Sequence, residues 1–268
     1  MGDVGGSDDG MIGLRVEREG PIARLLIDRP ERRNALTQAM WADLPEIIQR
    51  LDREGGIRVL IVGSTRSGVL SAGADISEYR DHADDLEWSA ASQKVVARGL
   101  EAVAAAVHPT LAVIDGPCFG GGAGLAVACD FRIATARSTF AITPAKLGMV
   151  YPHTATVSLV DLVGARHAKR ILFTGETMDA EHAERIGLVD QVVPDSMLDQ
   201  AVSMFIDPLL SASGMSARSM KRTIRRIANG ERAASDHSDA VVEEALRSSD
   251  YREGVTAFLE RRAPHFES

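Results

Sequence analysis

Residues 114–130 read IDGPCFGGGAGLAVACD, and they hold the residue types best suited to chemistry in this chain. The apolar run Thr110 to Ile114 suits a buried strand, and Asp115-Gly116-Pro117 supplies turn residues that end it. Gly120, Gly121 and Gly122 follow, then alanine-rich apolar sequence as far as Cys129, which predicts a helix too hydrophobic for a surface. The first N–H groups of a helix have no partner inside it, and glycines let a backbone come close to another group. Such a helix start is a place for negative charge or a polarised carbonyl oxygen. The other reading is that the glycines only permit tight packing of helix on strand, and the stretch by itself leaves both open.

Other chemistries find less support. Cys118 and Cys129 lie in or beside apolar sequence and read as small core residues; no Cys/His ligand spacing occurs, so no metal is expected. No GxGxxG and no P-loop lysine motif is present, which disfavours an ordinary nucleotide-binding doubly wound fold. A net charge of −8 argues against nucleic acid or an anionic membrane as the main partner. Charges interrupt the longest apolar runs and no segment reads as a secretion signal, so a soluble, cytoplasmic protein is expected.

The elements that must position the glycine stretch can be read in order. With 268 residues, 45% of them hydrophobic, the chain can form one large domain with a helical appendage. Residues 1–10 are Gly/Asp-rich and expected to be disordered. Arg15 to Glu19 and Ala23 to Asp28 form an expected β-hairpin, Thr37 an N-cap for a helix over Met40 to Arg53, and Val59 to Gly63 a short apolar strand. The small-residue turn Ser71-Ala72-Gly73-Ala74-Asp75-Ile76 leads into an acidic, mobile-looking segment around Tyr79 to Trp88, then a helix over Glu87 to Val107. Two short strands (Phe131 to Ala134, Thr139 to Ile142) and three helices (Thr154 to Val163, Ala165 to Phe173, Ala180 to Ile186) precede a last strand, Leu188 to Val193. Beyond Pro194 only helices are expected, over Asp199 to Leu210, Ala217 to Asn229 and Ala240 to Phe258. The division is therefore a core over 11–196 and a helical region over 197–268.

These motifs together resemble the enoyl-CoA hydratase/isomerase (crotonase) superfamily. The resemblance rests on Ser71 to Ile76, on Asp115-Gly116-Pro117 with Gly120-Gly121-Gly122 and Cys129-Asp130, and on Leu172-Phe173-Thr174-Gly175. It continues through Ala183 to Val189 and Glu253 to Arg262, so that it runs from about Leu14 to Phe266. It implies an α/β fold, a spiral of ββα turns forming two roughly perpendicular sheets, followed by helices used in trimerisation. It also implies an acyl-CoA ligand, with coenzyme A entering as part of the substrate and no separate cofactor, and a homotrimer or dimer of trimers. By motif match the thioester oxygen would lie between the backbone N–H groups of Ala74 and Gly121. Ala72, Asp75 and Ile76 would flank the coenzyme A path, and Arg29, with Phe258 and Arg261 of a neighbouring subunit, would hold the nucleotide end.

The chain departs from the family where hydratases carry two glutamates. The first position is Gly124 and the second, within Phe140 to Gly148, is Pro144. A single general acid or base is worth roughly 10² to 10⁴ in rate, so ordinary hydration is expected to be crippled. The segment Ser138 to Tyr151 is similar to methylmalonyl-CoA decarboxylase, a crotonase-family enzyme with a tyrosine at the Tyr151 position, although its histidine at the Ala74 position is absent here. Tyr151 could bond a carboxylate or enolate, and His153 could shuttle a proton. The alternatives are that Tyr151 packs with its hydroxyl satisfied and that His153 caps the next helix.

Three functions follow from these residues. The first is a lyase, decarboxylase or isomerase that works through a thioester enolate. The second is a largely non-catalytic acyl-CoA-binding protein, and the third, weaker, is a hydratase with unusual acid–base groups.

Overall fold

A computed structural model describes residues 13–267 of the chain, so the disorder expected for residues 1–10 lies outside the described residues. The opening hairpin pairs β1 (Leu14–Glu19) antiparallel with β2 (Ile22–Ile27). Thr37 then caps α1 (Gln38–Arg53), its hydroxyl accepting from Met40 N at 3.2 Å. Strand β3 (Val59–Ser64) joins β2 in parallel, followed by α2 (Ile76–Asp81) and α3 (Leu86–Ala105). Next come β4 (Thr110–Ile114), β5 (Pro117–Phe119) and the glycine-led α4 (Gly121–Ala128). Strands β6 (Phe131–Thr135) and β7 (Thr139–Ala141) follow, then α5 (His153–Thr174), broken at Gly164 where φ is +74°. The core closes with β8 (Met178–Asp179), α6 (Ala180–Arg185) and β9 (Gln191–Val193). Four helices complete the chain: α7 (Leu198–Ser211), α8 (Gly214–Ala228), α9 (Asp236–Arg247) and α10 (Ser249–Glu260).

The strands form two sheets, one in the order β1-β2-β3-β4-β6-β9 and a smaller one in the order β5-β7-β8. Apart from the antiparallel edge strand β1, the large sheet is parallel, which requires cover on both faces. Period-two alternation supplies it. Leu60 and Val62 of β3 point into the main core with Trp41, Leu44 and Leu100, whereas Val59 and Ile61 meet Ala201, Val202 and Ile206 of α7 on the opposite face. Thus α7, the first helix beyond residue 196, seals the sheet, and α8 is tied to the core through Lys221, which bonds the His108 carbonyl and Asp130. No helix among the described residues is long and apolar enough to cross a membrane.

Several elements differ from the sequence-based expectation. Pro117 to Phe119 is a strand rather than the tail of a turn, because it pairs in parallel with β7; Leu70 N and Ser71 N also bond the Pro117 carbonyl, at 3.0 and 3.2 Å. The segment expected to be mobile holds α2 and an aromatic cluster, with Trp88 edge-on to Tyr79 (ring centroids 5.3 Å apart) and stacked on His82 (4.3 Å). The long helix expected over Ala240 to Phe258 is two helices, because the Ser248 side chain accepts from Tyr251 N and starts α10 anew.

Candidate active site

Two chain segments meet at the site, the loop 71–75 beyond β3 and the turn between β5 and α4. Ser71 ties them together. It is fully buried, its carbonyl accepts from Phe119 N at 2.9 Å, and its hydroxyl donates to the Asn34 carbonyl at 2.7 Å while accepting from Gly73 N at 3.1 Å. Leu36 bridges Ala74 in parallel fashion, donating to the Gly73 carbonyl and accepting from Asp75 N. A parallel bridge of this kind engages the residues on either side of Ala74 and turns the N–H of Ala74 itself to the other side. Gly121 is the first residue of α4, where an amide has no intrahelical acceptor. Among the described residues neither amide finds a backbone acceptor, and both residues line the same cavity of about 390 Å³.

The three glycines answer the question their sequence left open, because they serve both purposes. Gly120 has φ of +49° and lies against Gly73, whose φ is +104°, so the two loops approach backbone to backbone. A Cβ on Gly121 would come within 2.7 Å of Cζ2 of Trp41, and one on Gly122 within 2.5 Å of the Ser71 Cβ. The same indole fills the space beside Gly99 of α3, where a Cβ would meet its Cε3 at 2.9 Å. Packing requirements therefore set the position of the Gly121 amide.

No carboxylate and no histidine lines this cavity. Its walls are mostly apolar, from Trp41, Val96, Leu100, Met149 and Val150, and its polar groups are Tyr79, Gln93, Thr143, Lys146 and Tyr151. The Tyr79 hydroxyl accepts from Ser92 Oγ at 3.2 Å. The Tyr151 hydroxyl is buried with no hydrogen-bond partner among the described residues. It sits beside Gly124: a Cβ there would lie 2.9 Å from Tyr151 Oη and 3.3 Å from a Leu100 methyl. Tyr151 therefore fills the room that a side chain at position 124 would need. Burial, and secondarily the nearby Cys118, pushes the phenol pKa up, so Tyr151 is a neutral donor at physiological pH.

The other residues singled out from sequence fall in different places. Ala72 and Ile76 line the cavity and are exposed. Asp75 caps α2, accepting from Ser77 N at 3.1 Å and Ser77 Oγ at 2.5 Å, and pairs with Arg29 Nη1 at 3.1 Å. The Ser77 hydroxyl, more than Arg29, holds its carboxyl below the usual range. Arg29 also donates to the Ala35 carbonyl at 2.6 Å, and its side chain is only 15% exposed. In this chain Arg29 and Asp75 brace each other, with neither lining the cavity. His153, the first residue of α5, is exposed and lines a separate cavity rather than this one. Phe258, 82% exposed, lines an apolar groove between α8, α9 and α10, and Arg261 ends α10 with φ of +56°. The segment from Tyr79 to Trp88 is expected from sequence to shape the pocket, and Tyr79 does line it, whereas sequence reasoning missed Trp41 and Leu100 as cavity walls. The contacts of these two form only when α1 and α3 converge. Cys118 and Cys129 are buried free thiols, as core cysteines should be.

Comparison with known proteins places this geometry in context. Residues 17–268 match the family model described as enoyl-CoA hydratase/isomerase. The chain is 33% identical to enoyl-CoA isomerase/hydratase fer4 of Mycosarcoma maydis, covering 91% of this chain and 92% of that protein. It is 32% identical to crotonyl-CoA hydratase of Syntrophomonas wolfei, covering 94% and 96%. Among solved structures, a putative enoyl-CoA hydratase/isomerase family protein from Hyphomonas neptunium superposes with a TM-score of 0.91 at 32% identity, covering 95% of this chain and 97% of that one.

Proposed function

Since the chain belongs to the enoyl-CoA hydratase/isomerase family, whose fold it shares, we propose that it is an acyl-CoA lyase of the decarboxylase type rather than an ordinary hydratase. One observation carries this reading: the buried, unpartnered hydroxyl of Tyr151 occupies the space at Gly124, in a cavity with free backbone amides and no carboxylate. Hydration and double-bond shifts need a base to take a proton. Breaking the Cα–carboxylate bond of a carboxyacyl thioester does not, because the departing carbon dioxide leaves its electron pair behind.

The pair moves into the Cα–C bond and onto the thioester oxygen, which rests between Ala74 N–H and Gly121 N–H. Preorganised donors of this type stabilise developing charge in a water-poor site, each worth about 10² to 10³ in rate. The neutral Tyr151 hydroxyl meets the carboxylate before cleavage and passes a proton to Cα afterwards, regaining one from solvent. Coenzyme A enters as part of the substrate, past Ala72 and Ile76 at the mouth.

The absence of a carboxylate from the cavity lining also favours a second reading, a protein that binds acyl-CoA and turns over little. Incubation with malonyl-, methylmalonyl-, crotonyl- and acetyl-CoA, followed by mass spectrometry, separates the two. Loss of carbon dioxide from a carboxyacyl thioester supports the lyase; binding by calorimetry with every thioester unchanged supports the carrier. The same reading includes self-assembly. Met220, Ile224, Val242, Leu246 and Leu259 are exposed on α8 to α10, forming an apolar face with Phe258 that a trimer or a dimer of trimers would cover. Light scattering at micromolar concentration tests this, and a monomer would refute it.

A further inference from the structure

A second chamber of about 380 Å³ lies behind the candidate site. Leu100 lines both spaces, and the chain crosses from one to the other within four residues: Tyr151 and Pro152 face the first, His153 and Thr154 the second. Gly124 lines the second chamber, and the Tyr151 hydroxyl stands where a side chain at position 124 would begin. The Tyr151 phenol and the methyls of Leu100 stand together at this boundary. At this boundary the hydroxyls of both Tyr151 and Thr154 are buried without a partner.

We propose that Tyr151 sets the length of acyl group the site accepts, and that the chamber behind it is a latent acyl subsite closed by this one side chain. The inference rests on the acyl-CoA reading above. With Tyr151 in place, an acyl chain running from the thioester toward Gly124 meets the phenol and Leu100, so short acyl groups are favoured. Without the phenol it passes over Gly124 into a space walled by Ala104, Val127, Ala128 and Ala155 on its apolar side. Glu101, His153, Asp161 and Arg225 also line the chamber and are exposed, so it suits an aliphatic chain whose terminus reaches water.

The experiment is calorimetric titration of the full chain and of Tyr151→Ala with acetyl-, butyryl- and octanoyl-CoA. The parent protein should bind octanoyl-CoA no better than butyryl-CoA. Each buried methylene contributes a factor of about four, so Tyr151→Ala should tighten octanoyl-CoA at least about tenfold relative to acetyl-CoA. Tyr151→Phe keeps the ring and should keep the parent's preference for short chains. Tyr151→Leu replaces the alanine variant if the latter loses its cooperative thermal transition. Should acetyl-CoA bind to parent and variants alike while the chain-length profile stays unchanged, the partition has no such role, although the acyl-CoA reading survives. A parent protein that binds no acyl-CoA overturns both. A parent that already binds octanoyl-CoA tightly overturns the partition alone.

Discussion

Tyr151→Phe should make the protein more stable and less active, and the two effects share one atom. The hydroxyl is buried with no partner, so the folded state carries its desolvation without a compensating bond. An unsatisfied buried polar group costs about 1–3 kcal/mol, and a satisfied one contributes about 1 kcal/mol, so the sign of the change tells the two states apart. Removing the oxygen leaves a small void beside Gly124 and Leu100, which takes back part of the gain. A net stabilisation of about 1 kcal/mol is therefore expected, equivalent to a rise of roughly 2–4 °C in melting temperature for a chain of this size. Turnover of the carboxyacyl thioester should fall at least about tenfold, a modest share of a general acid–base contribution. Scanning calorimetry on the ligand-free protein and a mass-resolved assay of carbon dioxide loss measure the two halves. A melting temperature lower by 2 °C or more would show that the hydroxyl is satisfied in the fold. Unchanged turnover in a stabilised variant would show that the proton is handled elsewhere.

Other predictions follow from the same contacts. Hydration of crotonyl-CoA, followed by loss of enoyl absorbance, should run at least about a hundredfold slower than in an ordinary hydratase, because Gly124 and Pro144 offer no acid or base; a rate within tenfold would refute this. Gly121→Ala should lower stability by about 1–3 kcal/mol in urea unfolding, since its Cβ would press within 2.7 Å of the Trp41 indole, and wild-type stability would contradict that packing. Buried His108 is held down to about 4, by burial first and by Arg218 next, against a hydrogen bond to the Leu51 backbone that raises it. The unfolded chain binds that proton near pH 6.5 and the folded one only near pH 4, so stability is full above about 6.5 and falls as pH drops toward 4, by about 2–3 kcal/mol. His108→Leu should flatten the dependence of melting temperature on pH in that window; an unaltered slope would assign it to other groups.

Much of the architecture was legible because local signals and tertiary structure agreed. The Thr37 cap, the hairpin of β1 and β2 and the apolar run of β3 each need only a few neighbouring residues to be recognised. The Ala74 and Gly121 amides were reached through motif resemblance, and the fold brings both to one cavity. What stayed hidden depends on distant partners. Nothing local in Pro117 to Phe119 says strand, since its pairing with β7 is supplied by residues about twenty positions away. The acidic segment after Asp75 hides an ordered turn because the Trp88 ring that stacks on His82 belongs to the next helix. Arg29 reads from sequence as a ligand for the nucleotide end, because its partner Asp75 is 46 positions away in sequence and their pairing has no local signal. Tyr151 was visible as a candidate, but its abutment on Gly124 needed the crossing of α4 with the segment before α5.

The indole of Trp41 lies against two glycines on different helices, Gly99 of α3 and Gly121 of α4. This arrangement gives the Gly121 amide, the proposed donor, the stiffness of the deepest part of the core, and it also removes that amide's independence. Substitutions that reshape the pocket by repacking α1 or α3 will move Gly121, even when they lie far from any ligand. A designer who wants a new acyl preference would do better to alter the Tyr151 side of the cavity, where the wall is a loop ahead of a helix. The α1 side is better left untouched, since the same ring that fills the core there also aims a backbone N–H.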